Sequence, residues 1–470
     1  KNPGGIVNKI MKKSILKLNG LLLLGILALS ACSKSSTFKP TPPTPPTKGY
    51  TDPPQYGTPY ANVPATSDIV MYEVNERTFP NANFAGVESR LDSIKALGVN
   101  VIWLMPTYPI GVLKSVGSPY CVQNFEGVNS SFGTLADLQA LVAQAHTLGM
   151  AVILDWEAND TSWDNAWITS NRGWYVQVNG VIQQLSTYTD VAALNFNNQD
   201  MRIAMIRAMK YWVFTANIDG FRCDDADNAP SDFWSQALDT LSNISTHKLI
   251  YLAEGTAPTE FSDGFQLGYA FSYYSTIKGV YGGSAATGLI ATNTAEESAI
   301  PTSTGMKLRY ITNHDDANTD GSTITEYGGK AGAESAFILA AYMGGVPLIY
   351  SSQEVGYPSA IDFFNVTPVD YTQNPDMVAL YKQILAFRAA HVAVKTGTLT
   401  DYSDANISAF TKVSGTDNVL IMVNTKNSTE NYNVPAALQN TTWTNGYTGA
   451  SVTLSTTYSF PAYGYLVLSK

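Results

Sequence analysis

The chain has 470 residues, more than an ordinary single domain, and 45% of them are hydrophobic, enough for a substantial core. Only 14% are charged and the net charge is −10, which argues against nucleic acid or an anionic membrane surface as the main partner. The four histidines, His146, His247, His314 and His391, show no metal-ligand spacing, and three cysteines make no disulfide framework.

Residues 1–10 precede Met11, which reads as the start. Lys12, Lys13 and Lys17 are followed by the apolar run LLLLGILALSA and then Cys32. A basic start, a short apolar segment and small residues before the cut predict a signal peptide over 11–31. The run is too short for a spanning helix. The sequence Leu29-Ser30-Ala31-Cys32 resembles a bacterial lipobox, in which Cys32 is lipidated and becomes the first mature residue. The other reading is a cleaved secretory signal with an incidental cysteine. The expectation is an exported lipoprotein held to the cell envelope, at the outer membrane, by a lipid anchor. Residues 32–66 are rich in Ser, Thr and Pro, with KPTPPTPPTKGY in the middle. Such a segment cannot form a core and favours extended polyproline geometry, so it reads as a stiff tether.

From residue 67 short apolar strands alternate with helical patterns. The strand candidates are DIVMYEVN (68–75), VNVIWLMP (99–106), MAVILDWEAN (150–159), NIDGFRCDD (217–225), KLIYLAEG (248–255), DGFQLGYAF (263–271), MKLRYITNHD (306–315) and VPLIYSSQE (346–354). Near-continuous apolar strands with intervening helices predict a parallel sheet buried on both faces. Eight such units fit a (β/α)8 TIM barrel over 67–393. The competing doubly wound sheet would show an early glycine fingerprint, and none follows residue 75. The connection from about 160 to 198 is too long for a plain loop and holds Trp163, Trp167 and Trp174. It predicts a small subdomain beside the barrel mouth, or a mini-core packed on itself. Short alternating segments over 394–470 predict a C-terminal antiparallel β-sandwich.

The stretch IDGFRCDDADNA (218–229) places Arg222, Asp224 and Asp225 at the end of an apolar run. As a strand it sends Gly220, Arg222 and Asp224 to one face and Phe221 and Cys223 to the other. The alternative is a helix start with acidic caps. Asp155, Glu254 and the trio Asn313, His314 and Asp315 also end apolar strands, so all would rise at one rim. Burying several carboxylates together costs free energy, because like charges raise one another's pKa. Glycoside hydrolysis needs two carboxylates flanking an acetal linkage, one ionised and one protonated. Arg222, on the same face, would keep Asp224 ionised, and the apolar setting of Glu254 favours its neutral form.

These motifs, in this order, resemble the α-amylase family of glycoside hydrolases over roughly residues 68–470. The resemblance implies that GFRCDDA supplies Asp224 as nucleophile with Arg222 its partner, and that LAEG supplies Glu254 as acid/base. ITNHDD would supply Asp315 as transition-state stabiliser and His314 as a binder of sugar hydroxyls. VILDWEAND would supply Asp155, with Trp156 beside it as a further substrate contact. GSPY would supply Tyr120, stacking on the sugar at the cleavage point. DVAALNF would close the subdomain, and PLIYSSQEVG would be the eighth strand. The reaction needs no cofactor. Asn159 and Asp190 match positions that hold structural Ca²⁺ in many relatives, or they hydrogen-bond the subdomain to the barrel. Asp225, Asp227 and Asn228 are expected to cap the following helix.

One departure stands in the first motif. The family's histidine after Asn159 is replaced by Asp160, which when ionised can only accept a hydrogen bond. Glu157 and Gln123-Asn124-Phe125 also differ from the family's usual residues. The implied function is a retaining α-glucan hydrolase acting on starch or maltooligosaccharides. The alternatives are a lipid-anchored glucan-binding protein with weak or lost catalysis, or a transglycosylase on the same scaffold. The pattern sets no oligomeric state.

Overall fold

A computed structural model describes residues 51–470 of the chain. The expected signal peptide, the expected lipidation site Cys32 and the expected tether up to residue 50 lie outside the described residues. Among the described residues no helix is long and apolar enough to cross a membrane.

Eight parallel strands close into a barrel. In chain order they are Met71–Val74, Val101–Leu104, Ala151–Trp156, Gly220–Cys223, Ile250–Ala253, Leu267–Tyr269, Met306–Arg309 and Val346–Tyr350. Each pairs with its chain neighbours, and the first closes on the eighth with Met71 opposite Leu348. Alternation divides each strand between two cores. Met71, Val101, Trp103, Ala151, Ile153 and Leu252 fill the barrel interior. Tyr72, Ile102, Leu104, Val152, Leu154 and Phe221 face the helices. Full burial of one such Leu or Phe contributes about 1.5–3 kcal/mol. The helix Leu135–Thr147 is started by a capping box between Thr134 and Asp137. Gly220, at the start of the fourth strand, has φ +146°, and a Cβ there would lie 1.9 Å from the Ile250 carbonyl oxygen. Only glycine lets the fourth and fifth strands, which carry Asp224 and Glu254, come this close.

Between the third and fourth strands, segments Asp160–Ser162, Gln184–Leu185 and Tyr188–Ala193 form a three-stranded sheet at the barrel mouth. Trp167 packs edge-on against Trp174 at 5.0 Å and against Phe125 at 5.3 Å. Trp163 donates its ring N–H to the Thr189 carbonyl and carries Lys114 over its face. These tryptophans join the subdomain to itself and to the barrel. The residues that reach the cavity from it are Asp160, Leu185, Tyr188, Asp190 and Val191. After the helix Pro375–Ala390 the chain forms a six-stranded antiparallel sheet and a two-stranded one, sharing a core that includes Ile407, Leu420, Tyr432, Trp443 and Phe460.

Residues 51–66 correct the expected tether. They lie against the barrel instead of standing free. The Tyr56 N–H bonds the Phe214 carbonyl at 2.7 Å, and Asn217 donates to the Thr58 carbonyl at 2.8 Å. Tyr60 stacks on His146 at 4.6 Å, and Lys248 donates to the Val63 carbonyl. Composition missed this because the attachment is made by backbone groups and one ring, not by an apolar run.

Candidate active site

At the carboxyl ends of the strands a cavity of about 500 Å³ opens. Asp224, Glu254 and Asp315 all line it, with Tyr120, Glu157, Asp160 and His314. The fourth strand ends at Cys223, and the Asp224 N–H is held by the Trp156 carbonyl at 2.9 Å. The Glu254 N–H is held in the same way by the Cys223 carbonyl at 2.9 Å. Asp315 opens the first turn of the helix His314–Thr319, which Asn313 caps. The three acids thus sit on the barrel's own backbone ladder or immediately beyond it.

Arg222 is fully buried beneath them. Its Nη1 pairs with Asp155 Oδ1 at 2.8 Å and also with Asp224 Oδ1, and its Nη2 lies 2.8 Å from Glu254 Oε2. Its Nε donates to the Tyr269 hydroxyl at 3.2 Å. One guanidinium therefore holds both candidate catalytic carboxylates. Burial pushes the Asp224 carboxyl above its ordinary range, and the pull of Arg222 offsets part of that rise. Burial pushes Glu254 up to about 7 against the pull of Arg222, with Asp224 and Asp315 adding to the rise. The Asp225 N–H donates to Glu254 Oε2 at 2.9 Å, and Asp225 holds a left-handed φ of 39° to do so.

Three residues expected to touch substrate do not line the cavity. Asp155 is fully buried, accepting from Trp103 Nε1 at 3.0 Å and from the Tyr120 hydroxyl at 3.0 Å as well as from Arg222. It is the floor that orients Arg222 and Tyr120. Trp156, the next residue on that strand, points to the opposite side, as alternation requires. It is buried among Tyr108, Phe125 and Phe221. Arg222 contacts the acids from below and is closed off from the cavity. Tyr120 and His314 do line it, stacked on each other at 5.6 Å.

Glu73, from the first strand, went unremarked in the sequence. It is fully buried, and its Oε1 lies 2.5 Å from His314 Nδ1. His314 Nε2 lies 2.8 Å from the Tyr120 hydroxyl and 3.3 Å from Asp315 Oδ2. Burial alone would lower the His314 pKa, but Asp315 and Glu73 outweigh it and raise it to about 10. The ring is therefore an imidazolium, donating from both nitrogens. The signal for Glu73 was an acid on the inward face of an apolar strand.

Asp227 is likewise not a helix cap. It accepts from the Thr256 N–H and hydroxyl and from the Ala257 N–H, pinning the loop that follows Glu254. The helix Ser231–Ser242 starts after Pro230 with no side-chain cap.

Residues 66–183 match the family model for the α-amylase catalytic domain. The chain is 27% identical to the α-amylase MalA of Haloarcula japonica, over 86% of this chain and 63% of that protein. It is 24% identical to α-amylase 2 of Dictyoglomus thermophilum, over 78% and 68%. The chain is similar to the α-amylase family in its catalytic domain and along most of its length. It spans under two thirds of the first relative's own length. An α-amylase structure from Lactobacillus plantarum shares the fold with TM-score 0.77 at 24% identity, covering 86% of this chain and 99% of that one.

The departure from the family's first motif is resolved by its surroundings. Asp160 is buried and its Oδ1 has no partner. Burial pushes its pKa well above the carboxylate range, and Asp224, Asp190 and Asp225 push it further. Its surroundings thus favour the protonated form, which can donate a hydrogen bond, over the ionised acceptor expected.

The residues present do not fit a calcium shell. Asn159 turns its amide nitrogen to the carbonyls of Asp224, at 3.3 Å, and Asp225, at 3.1 Å. Asn159 Oδ1 and Asp160 Oδ1 are the buried orphan oxygens there, and with the Asp190 carboxylate they fall short of the about six to eight that calcium takes. Among the described residues no group of three or more His, Cys, Asp or Glu side chains is placed to hold a metal ion. Chelation with EDTA is expected to leave the melting temperature unchanged in a thermal unfolding scan. A drop of several degrees, restored by Ca²⁺ alone, would contradict this.

Proposed function

We propose that the protein is a retaining α-glucan hydrolase that cleaves α-glucosidic bonds of starch or maltooligosaccharides. The observation that carries this is the convergence of Asp224, Glu254 and Asp315 on one sugar-sized cavity, with the first two held by a single guanidinium. Retaining enzymes hold their two carboxyl groups about 5–5.5 Å apart, and a shared guanidinium suits that close spacing. Asp224, kept ionised by Arg222, attacks the anomeric carbon and forms a glycosyl ester. Glu254, neutral below about pH 7, gives its proton to the leaving oxygen. It then takes a proton from the water that hydrolyses the ester. Asp315 and imidazolium His314 face the same space and stabilise the charge and the hydroxyls of the distorted sugar.

The alternative of a transglycosylase shares every step up to the ester, because a sugar hydroxyl can replace water. The relatives include an oligo-1,6-glucosidase of Bacillus subtilis and an α-1,4-glucan:maltose-1-phosphate maltosyltransferase of Mycobacterium tuberculosis. A glucan-binding protein without turnover is the third reading. Anchoring to the cell envelope through Cys32 is part of the same proposal and is supported by the lipobox-like sequence.

The test is a product profile on α-1,4 and α-1,6 glucans across pH. Release of reducing sugar is expected, with rate falling above about pH 7 as Glu254 loses its proton and falling in acid as Asp224 gains one. Longer oligosaccharides without net reducing-sugar release would indicate transfer. Binding without either product would sink the enzyme reading.

A further inference from the structure

Glu157 has no role in the chemistry above, yet it lies against the nucleophile. It stands two residues after Asp155, lines the cavity, and is only 5% exposed. Its side chain hydrogen-bonds that of Asp224. Its Oε1 accepts the Asn159 N–H. Two carboxyl groups can share a hydrogen bond only if one of them carries the proton.

The surroundings decide which one. Asp160 faces Glu157 from its own segment, and Cys223 and Asp224 face it from the fourth strand. Asp190, Glu254 and Asp315 line the same cavity from the subdomain and from the fifth and seventh strands. The positive groups there are Arg222 and His314, and neither pairs with Glu157. Arg222 is committed to Asp155, Asp224 and Glu254. His314 is committed to Glu73 and Asp315. Asp224 thus has a cation to hold its charge and Glu157 has none. A buried carboxyl without a cation keeps its proton.

We propose that Glu157 is a positioning residue for the nucleophile: it stays protonated and donates a hydrogen bond to the Asp224 carboxylate. The bond fixes one oxygen of Asp224 while Arg222 fixes the carboxylate from below, so the attacking oxygen is held in one orientation. The proton remains on Glu157 throughout, and no group is transferred. Burial and the charges of Asp160 and Asp224 raise the Glu157 pKa well above the ordinary range, while the same bond lowers that of Asp224. The proposal rests on Asp224 being the nucleophile.

The experiment compares pH profiles of kcat/KM for the wild type, Glu157→Gln and Glu157→Val. The acid limb reports ionisation of the nucleophile in the free enzyme. Gln keeps a donor and cannot ionise, so the acid limb is expected to stay in place. Val removes the donor, so the limb is expected to move about one unit toward neutral pH, the scale of one lost hydrogen bond to a carboxylate. A limb that moves in Glu157→Gln, or stays in Glu157→Val, overturns the proposal. A purely structural role would lower the rate and leave the limb where it is. Infrared difference spectra at neutral pH read the proton directly and need no turnover. A protonated-carboxyl band lost between the wild type and Glu157→Gln is expected, over the bands of other neutral carboxyls that both proteins keep, and no such loss in the difference spectrum overturns the proposal. These spectra still decide if Glu157→Val fails to fold. A band present in a protein that cleaves no glucan would leave the Glu157 proton standing and remove the hydrolase reading instead.

Discussion

Asp224→Asn abolishes turnover: kcat on maltooligosaccharides falls by roughly 10⁴-fold or more, the scale on which removal of a covalent nucleophile acts. The amide has nearly the shape of the carboxylate, and the backbone at Asp224 is held by the Trp156 carbonyl, not by the side chain. The variant is therefore expected to fold, with a circular dichroism spectrum like that of the wild type, and to keep binding glucan. Asn also reaches neither a glycosyl ester nor a charge, so no slow burst of product is expected on mixing. The measurements are initial rates, a single-turnover trace and a maltooligosaccharide titration. Retention of more than a few per cent of the wild-type rate would place the nucleophile elsewhere.

Arg222→Met is expected to cost both stability and activity. The guanidinium is fully buried and holds Asp155, Asp224 and Glu254. Breaking a buried ion pair by removing one partner costs about 3–5 kcal/mol, because the other charges are left uncompensated. The sign of the pH dependence follows from the same contacts. Arg222 lowers the pKa of Asp155, Asp224 and Glu254 in the folded protein. Without it their folded pKa values rise further above the unfolded ones. A raised pKa contributes stability that is present below the unfolded value, near pH 4, and is lost as pH rises through the folded value. The deficit of the variant relative to the wild type is thus smallest near pH 4 and grows toward neutral. Urea melts at several pH values measure it. A deficit that does not change with pH would mean that Arg222 acts by packing alone. Activity is lost as well, since Asp224 without its cation takes a proton at the pH where Glu254 has to work.

Much of this was legible in the sequence because it rests on local pattern. Short, largely apolar segments marked all eight barrel strands, which are three to six residues long. The acids at their ends marked the rim, because nothing but chemistry explains charges there. What was missed depends on packing between segments far apart in the chain. Alternation alone could have turned Trp156 away from the cavity, and the motif's neighbours drew it in. Asp155 was placed on the correct face, but the depth that seals it beneath Arg222 is set by Trp103 and Tyr120 from other strands and loops. The raised pKa of Asp160 comes from burial and from Asp224, Asp190 and Asp225, which other segments bring to it. Phe271, Phe363, Phe364 and Tyr188 reach the cavity wall from segments with no periodicity to announce them.

The segment 51–66 has a further meaning for polymer access. Its contacts fall on Asn217, His146 and Lys248, residues that precede barrel strands, whereas the acids follow them. Residues 51–66 therefore dock beneath the barrel, on the side away from the acids. A branched or helical glucan many times longer than the cavity can drape across the rim that holds the acids without colliding with residues 51–66.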